Sequence, residues 1–324
     1  MIYVNKKMKK KILAFITDGK KFLALRNNPS EPEKHGGDFW FTVTGSVENG
    51  ESFEDAVKRE VKEETSLKVK SIFNLNWGCM YKDWSGENEE HYYLAFVSHG
   101  DVVLDIEHVD YEWLSFSKFL NIIKWDGNKK DLKRVLQSAL NSNDDFFLRG
   151  IMDDFVNHKR IIYVKGKKYI IKWHLVDDFS KIPKEKVTQV YGFCFDKSGK
   201  MMVVDVRRRD NWALPGGGIE KGENYIETLK RECMEEADME ITDIKPLGYN
   251  ETIEVDENGN QKEIYQLRYF ARITKLRKQT IDVATGVIPV RKLIKPKDFG
   301  FYCPWGFQGS EMIGKAVKMF GKKV

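Results

Sequence analysis

The stretch Gly45-Ser46-Val47-Glu48-Asn49-Gly50-Glu51-Ser52-Phe53-Glu54-Asp55-Ala56-Val57-Lys58-Arg59-Glu60-Val61-Lys62-Glu63-Glu64 decides how this chain is read. Apolar residues at 53, 56, 57 and 61, with charges between them, predict an amphipathic helix over Ser52–Thr65. On that helix Glu60, Glu63 and Glu64 stand at i, i+3 and i+4, so three carboxylates share one face. Like charges that close destabilise a bare helix by a few tenths of a kcal/mol per pair. A hard divalent cation would relieve them, and Mg²⁺ favours oxygen ligands and couples readily to phosphates. Arg59 is placed to hold Glu51 and brace the glycine loop against the helix. The same order returns 172 residues later: Gly217, Glu223, then Arg231-Glu232-Cys233-Met234-Glu235-Glu236. Both copies obey G-x5-E-x7-R-E-U-x-E-E, with U apolar. An acidic run on one helix is usually a solvated face; this constellation, present twice, points to chemistry.

The elements around each copy repeat as well. Lys11–Ile16 and Phe22–Arg26 flank the turn Asp18-Gly19-Lys20 and read as a hairpin, with Phe39–Val43 as a third strand. His91–Val97 and Tyr111–Leu114 read as strands and Lys129–Leu140 as a helix. The polar run Asn141-Ser142-Asn143-Asp144-Asp145 predicts a linker, giving domains over 1–142 and 150–324. In the second half Arg160–Val164 and Tyr169–Trp173 form an N-terminal hairpin. Val187–Phe195, Met201–Val206 and Tyr265–Ile273 are strands, Asn224–Ala237 the acidic helix and Ser310–Phe320 a closing helix. A repeat this long means duplicated domains; solenoid periods are about 20–50 residues.

With 324 residues, length alone predicts about two domains, and 41% apolar content suffices for packed cores. The net charge of +5 is too small for a dedicated nucleic-acid binder. It hides an asymmetry: 21 basic against 24 acidic side chains over 1–145, and 33 against 25 over 146–324. Cys79, Cys194, Cys233 and Cys303 are widely spaced, the pattern of reduced thiols. The lysines at 6, 7, 9, 10 and 11 precede an apolar run, 12–16, shorter than the roughly 7–15 residues of a secretory signal or the 20 of a membrane helix. A cytoplasmic protein is expected.

The repeated pattern resembles the Nudix box, and the chain resembles a tandem Nudix hydrolase. The family pattern closes on Gly and an apolar residue, where this chain has Ser66-Leu67 and Asp238-Met239. That glycine ends the helix in a left-handed conformation, which Asp tolerates better than Ser, so both departures imply local cost without touching the acidic side chains. The resemblance implies an α/β fold: two α/β/α sandwiches around mixed sheets, with the box as loop-helix-loop. It further implies water attack on a diphosphate linkage in a nucleoside diphosphate derivative, with Mg²⁺ (Mn²⁺ substituting). By it, Glu60, Glu63, Glu64 and the Gly45 carbonyl hold metal in the first half, and Glu232, Glu235, Glu236 and the Gly217 carbonyl in the second. One carboxylate per site also orients or deprotonates the water, with Glu60, Glu63, Glu232 and Glu235 as candidates.

Beyond the box, Phe39–Glu48 and Glu107–Leu114 resemble the dihydroneopterin triphosphate pyrophosphatase and dATP pyrophosphohydrolase group. That likeness makes Glu107 a further ligand or base. Arg26 and, in the second half, Arg209 and Trp212 are candidate substrate contacts, and Asp282 is the nearest acid to a matching extra carboxylate there. The basic residues Arg207, Arg208, Arg209, Arg268, Arg272, Arg277, Lys278, Arg291 and Lys292 form either a solvated surface or a groove facing polyphosphate or RNA. A nucleotide-sensing module without turnover, an RNA 5′-end pyrophosphohydrolase, and an ADP-ribose or nucleotide-sugar hydrolase stay open beside the triphosphatase. So do an intramolecular pseudo-dimer and a homodimer.

Overall fold

The computed structural model describes residues 8–30, 37–83, 86–125, 129–141, 147, 149–282 and 285–321. Lys6, Lys7, part of the Asn27–Gly37 loop and most of the predicted linker (142–145) lie outside them. The chain forms two compact units, Met1–Lys165 and Gly166–Val324.

In the first unit β1 (Lys9–Thr17) and β2 (Phe22–Asn27) are followed by β3 (Trp40–Phe41), β4 (Val43–Ser46) and helix α1 (Phe53–Thr65). β5 (Val69–Asp83), β6 (Gly86–Val97) and β7 (His108–Leu114) come next, then α2 (Phe116–Ile122), α3 (Lys129–Leu140), β8 (Arg149–Asp154) and β9 (Lys159–Val164). β1 lies at the centre, parallel to β6 on one side and antiparallel to β4 and β2 on the other, so the sheet is mixed. Its side chains alternate with period two, and both faces are apolar. Ile12, Ala14 and Ile16 pack with Ala56, Val57 and Val61 of α1. Leu13 and Phe15 pack with Phe119 of α2 and Leu132 and Leu136 of α3. Helices thus cover both faces, the three-layer arrangement expected.

The second unit repeats this plan. β10 (Lys167–Leu175), β11 (Val187–Phe195), β12 (Met201–Asp205) and β13 (Gly216–Gly218) precede α4 (Tyr225–Ala237). β14 (Met239–Val255), β15 (Gln261–Leu276) and β16 (Val290–Ile294) follow, then α5 (Phe299–Tyr302) and α6 (Gly306–Gly321). β11 takes the role of β1, parallel to β15 and antiparallel to β13 and β12. Val190 and Cys194 face α4, while Phe193 and Phe195 face Phe299 of α5 and Met312 of α6.

Two differences from the sequence expectation have physical causes. The long strands β5 and β14 are absent from the predicted elements because bulges break their alternation. Register slips between Asn74 and Trp77, where Asn76 is left-handed, and three times between Glu240 and Gly248, around left-handed Asp243. β8 and β9 pair with each other, and β8 runs parallel to β5, so this stretch, read from the sequence with the second half, falls in the compact unit Met1–Lys165.

Glu90 on β6 is buried on the α2–α3 face, within 3.4 Å of the Tyr81 hydroxyl. Burial pushes its pKa up to about 7, against the pull of Lys11. A carboxylate raised in the fold favours folding most below its unfolded value, and that contribution is lost as pH rises through the folded value. Across the window from about 4.5 to 7 the first unit is therefore expected to weaken by roughly 3 kcal/mol through this group. Glu90→Gln should flatten the dependence of the melting temperature on pH in that window; an unchanged slope would refute the assignment.

Candidate active site

Each box is assembled by its arginine. Arg59 Nε and Nη2 grip both oxygens of Glu51, at 2.9 and 3.0 Å. Nη1 reaches Glu60 at 2.8 Å and Glu63 at 3.1 Å, while Nη2 also donates to the Ser46 carbonyl at 2.8 Å. Arg231 makes the same set: Glu223 at 2.7 and 3.1 Å, Glu232 at 3.0 Å, Glu235 at 2.9 Å and the Gly218 carbonyl at 2.8 Å. The Arg231 bonds hold Glu223 at a pKa of about 2, and Arg59 lowers Glu51 likewise. Glu51 and Glu223 also accept from the backbone N–H of Glu48 and Glu220, which closes each loop on itself. The fork geometry of guanidinium makes arginine the suitable brace.

The glycine that opens each box is required by a close approach. A Cβ on Gly45 would overlap the carboxyl group of Glu60, and one on Gly217 that of Glu232. The helices start on capping side chains, Ser52 accepting from Asp55 N–H and Asn224 forming a full capping box with Glu227. They end on left-handed Ser66 (φ 59°) and Asp238 (φ 45°), the positions of the departures noted above. Asp238 gains something in return: its carboxylate accepts from Thr280 N–H and Oγ, both at 2.8 Å, and pins the segment that leads to Asp282.

The third glutamate of each triad lies deepest, Glu64 buried and Glu236 partly so. Burial raises the Glu64 pKa well above the carboxylate range, and the charges of Glu60, Asp105 and Glu107 add to it. Glu107 thus comes to the box glutamates although it is exposed. His108, beside it, has Nε2 3.6 Å from Glu64 and Nδ1 3.0 Å from Asp105. Glu236 is pushed up to about 8 by burial, against the Gly216 N–H it accepts at 2.9 Å, with Glu232 and Asp282 raising it further. Asp282 therefore stands to Glu236 as Asp105 and Glu107 do to Glu64. Among the described residues no three acidic side chains converge on one point; Glu60 and Glu63, like Glu232 and Glu235, turn toward their arginine.

The NUDIX domain family matches residues 7–136 and 185–299, most of the chain and both boxes. The chain belongs to the Nudix family. NAD-capped RNA hydrolase NudC of Mannheimia succiniciproducens is 32% identical over 109 residues, 33% of this chain and 39% of that protein. Dihydroneopterin triphosphate diphosphatase of Escherichia coli is 26% identical over 142 residues, 40% of this chain and 91% of the relative. The chain spans well under half the length of the NAD-capped RNA hydrolases it matches, 23% in Actinobacillus succinogenes. Among solved structures, a Bacillus subtilis pyrophosphohydrolase is 25% identical with a TM-score of 0.36, covering 47% of this chain and 92% of that one. Nudix hydrolases act on nucleoside diphosphate derivatives and generally use divalent metals.

Outside the two Nudix boxes the candidate contacts scatter. Arg26 is engaged by Asp38, with two bonds of 2.8 Å. Arg209 is exposed in the turn after β12, its backbone N–H on Asp205. Trp212 donates to Asp210 and meets Tyr302 edge-on at 5.3 Å, with Lys292 over both rings. Much of the basic cluster is committed internally: Arg272 to Asp243, Arg277 to Glu240, and Arg291 to the carbonyls of Ala237 and Arg277. Asp105, and the contact of His108 with Glu64, have no signal in the sequence beyond their nearness to Glu107. Among the described residues all four cysteines are buried, and no helix is long and apolar enough to cross a membrane.

Proposed function

We propose that both units hydrolyse a diphosphate linkage with Mg²⁺, the first acting on a nucleoside or pterin triphosphate and releasing pyrophosphate. What supports this most is the identical five-acceptor grip of Arg59 and Arg231, which holds one largely buried and one exposed box carboxylate beside a glycine backbone twice in one chain. Hard oxygen donors gathered on one helix face, with burial and then neighbouring charge raising the pKa values of Glu60, Glu64, Glu232 and Glu236, fit a hard divalent cation. Glu60, Glu63, Glu64 and the Gly45 carbonyl would hold it in the first unit, and Glu232, Glu235, Glu236 and the Gly217 carbonyl in the second. When bound, the cation polarises the phosphoryl oxygens and lowers the pKa of the attacking water. Glu63 and Glu235 are exposed enough to swing from their arginines toward the phosphates. Glu107, and Asp282 in the second unit, approach from a separate loop and would orient or deprotonate the water.

The test is a nucleotide and pterin triphosphate panel with product identification. Phosphate or pyrophosphate is expected with Mg²⁺ or Mn²⁺ and none in chelator. No product from any member would sink the reading, and calorimetric binding without product would mark a sensing module instead. An RNA 5′ end is a second reading for the basic unit, supported by exposed Arg207, Arg208 and Arg209. Its affinity should fall steeply with added salt, and a flat response would exclude it.

A further inference from the structure

Arg268 on β15 is 3% exposed, yet among the described residues it makes no ion pair. Its guanidinium lies 4.4 Å from the Tyr191 ring and 5.6 Å from each of Trp173 and Trp305. Nη1 reaches the Leu267 carbonyl and Nη2 the Gln266 side chain, while Nε has no partner. Burial lowers its pKa only to about 10, so it is charged at neutral pH. A buried charge is costly unless something neutralises it, and here only ring faces and two neutral oxygens do.

Strand register places this group beside the box. Gly216, Tyr191 and Arg268 are direct partners across β13, β11 and β15, which sets Arg268 two strand spacings, about 10 Å, from the box glycines. Tyr191 lies within electrostatic reach of Arg268 on one side and of Glu236 and Glu232 on the other. The neighbouring row on the same face runs Trp173, Asn250, Gln266, and two more buried polar atoms there, Trp173 Nε1 and Asn250 Oδ1, lack hydrogen-bond partners.

The first unit shows that the fold does not demand this. The position of Arg268 is held there by Tyr92, which pairs with Leu13 as Arg268 pairs with Tyr191. Gly248, across from Arg268, corresponds to Trp77, across from Tyr92, and the indole packs against Tyr92 and Trp125 in the first unit. Gln266 corresponds to Glu90. One unit therefore has a neutral aromatic fill beside a buried acid, and the other a buried cation with unsatisfied donors.

We propose that Arg268 is a specificity residue of the second site: its Nε binds an anionic oxygen, carboxylate or phosphate, on the part of the substrate distal to the diphosphate. This rests on the hydrolase reading for the meaning of substrate but is read by binding alone. The full chain, with Ca²⁺ in place of Mg²⁺, is titrated calorimetrically with UDP-glucuronate against UDP-glucose for the carboxylate source. ADP-ribose 2′-phosphate against ADP-ribose serves for the phosphate source. One acid-bearing ligand should bind at least about 10-fold tighter than its counterpart lacking that acid, and Arg268→Met should erase that preference while leaving the counterpart's affinity unchanged. A buried charge exchanged for an apolar residue of like size is usually tolerated, so the melting temperature should hold; Arg268→Gln serves as a second neutral variant. No preference in the parent chain, a preference that survives both variants, or the loss of folding in both would overturn the proposal. Binding as expected with no hydrolysis would leave it standing and count against the hydrolase reading only.

Discussion

Replacing Glu63 and Glu235 together by Gln is expected to reduce turnover on any substrate the chain hydrolyses to near background, with each single change costing its own site about 10²–10³-fold. Gln keeps the size and one oxygen of Glu but removes the charge that answers Arg59 or Arg231 and any cation on the box. Both residues are largely exposed at the helix surface, so melting temperatures should stay close to the parent. The singles divide labour between the units: a substrate lost with Glu63→Gln but kept with Glu235→Gln belongs to the first. Unchanged turnover in the double variant would remove the box carboxylates from the mechanism. The prediction is sharp because the two arginine-centred networks share no residue.

A second large effect follows from one methyl group. Gly217→Ala places a Cβ where the Glu232 carboxyl group sits, whereas Gly218→Ala meets nothing within 4 Å. The neighbours differ by one position in sequence and by opposite faces of β13. In a Glu63→Gln background, Gly217→Ala is expected to lower kcat of the second site about 10²-fold by displacing Glu232, and Gly218→Ala to change it little. Equal behaviour of the two variants would show that Glu232 is not held against that backbone.

By itself the sequence determined the two box helices, because their periodicity, caps and charge order are local and complete within about twenty residues. It also carried the hairpin at Asp18-Gly19, the duplication, and the pairing of Glu51 with Arg59 and Glu223 with Arg231, each within two helical turns. It could not deliver β5 and β14, whose alternation is broken by left-handed Asn76 and Asp243 and by Pro246, so period two fails where bulges re-aim the strands. Nor could it deliver the environment of the third glutamates. Glu64 meets Asp105 and His108 from forty residues away, and Glu236 meets Asp282 through the Asp238–Thr280 clasp.

The charge split shows the same division. Counted along the chain, the basic half suggests a cationic groove; folded, Arg272, Arg277 and Arg291 are spent on nearby carboxylates and helix carbonyls. Arg268, buried and among the described residues without an ion pair, reads in sequence as one more charge in a strand. Its character comes from Tyr191, Trp173 and Trp305, which reach it only through strand pairing and the loop before α6. Local order set where the boxes fall; long-range register, which no window of sequence contains, decided what each of them faces.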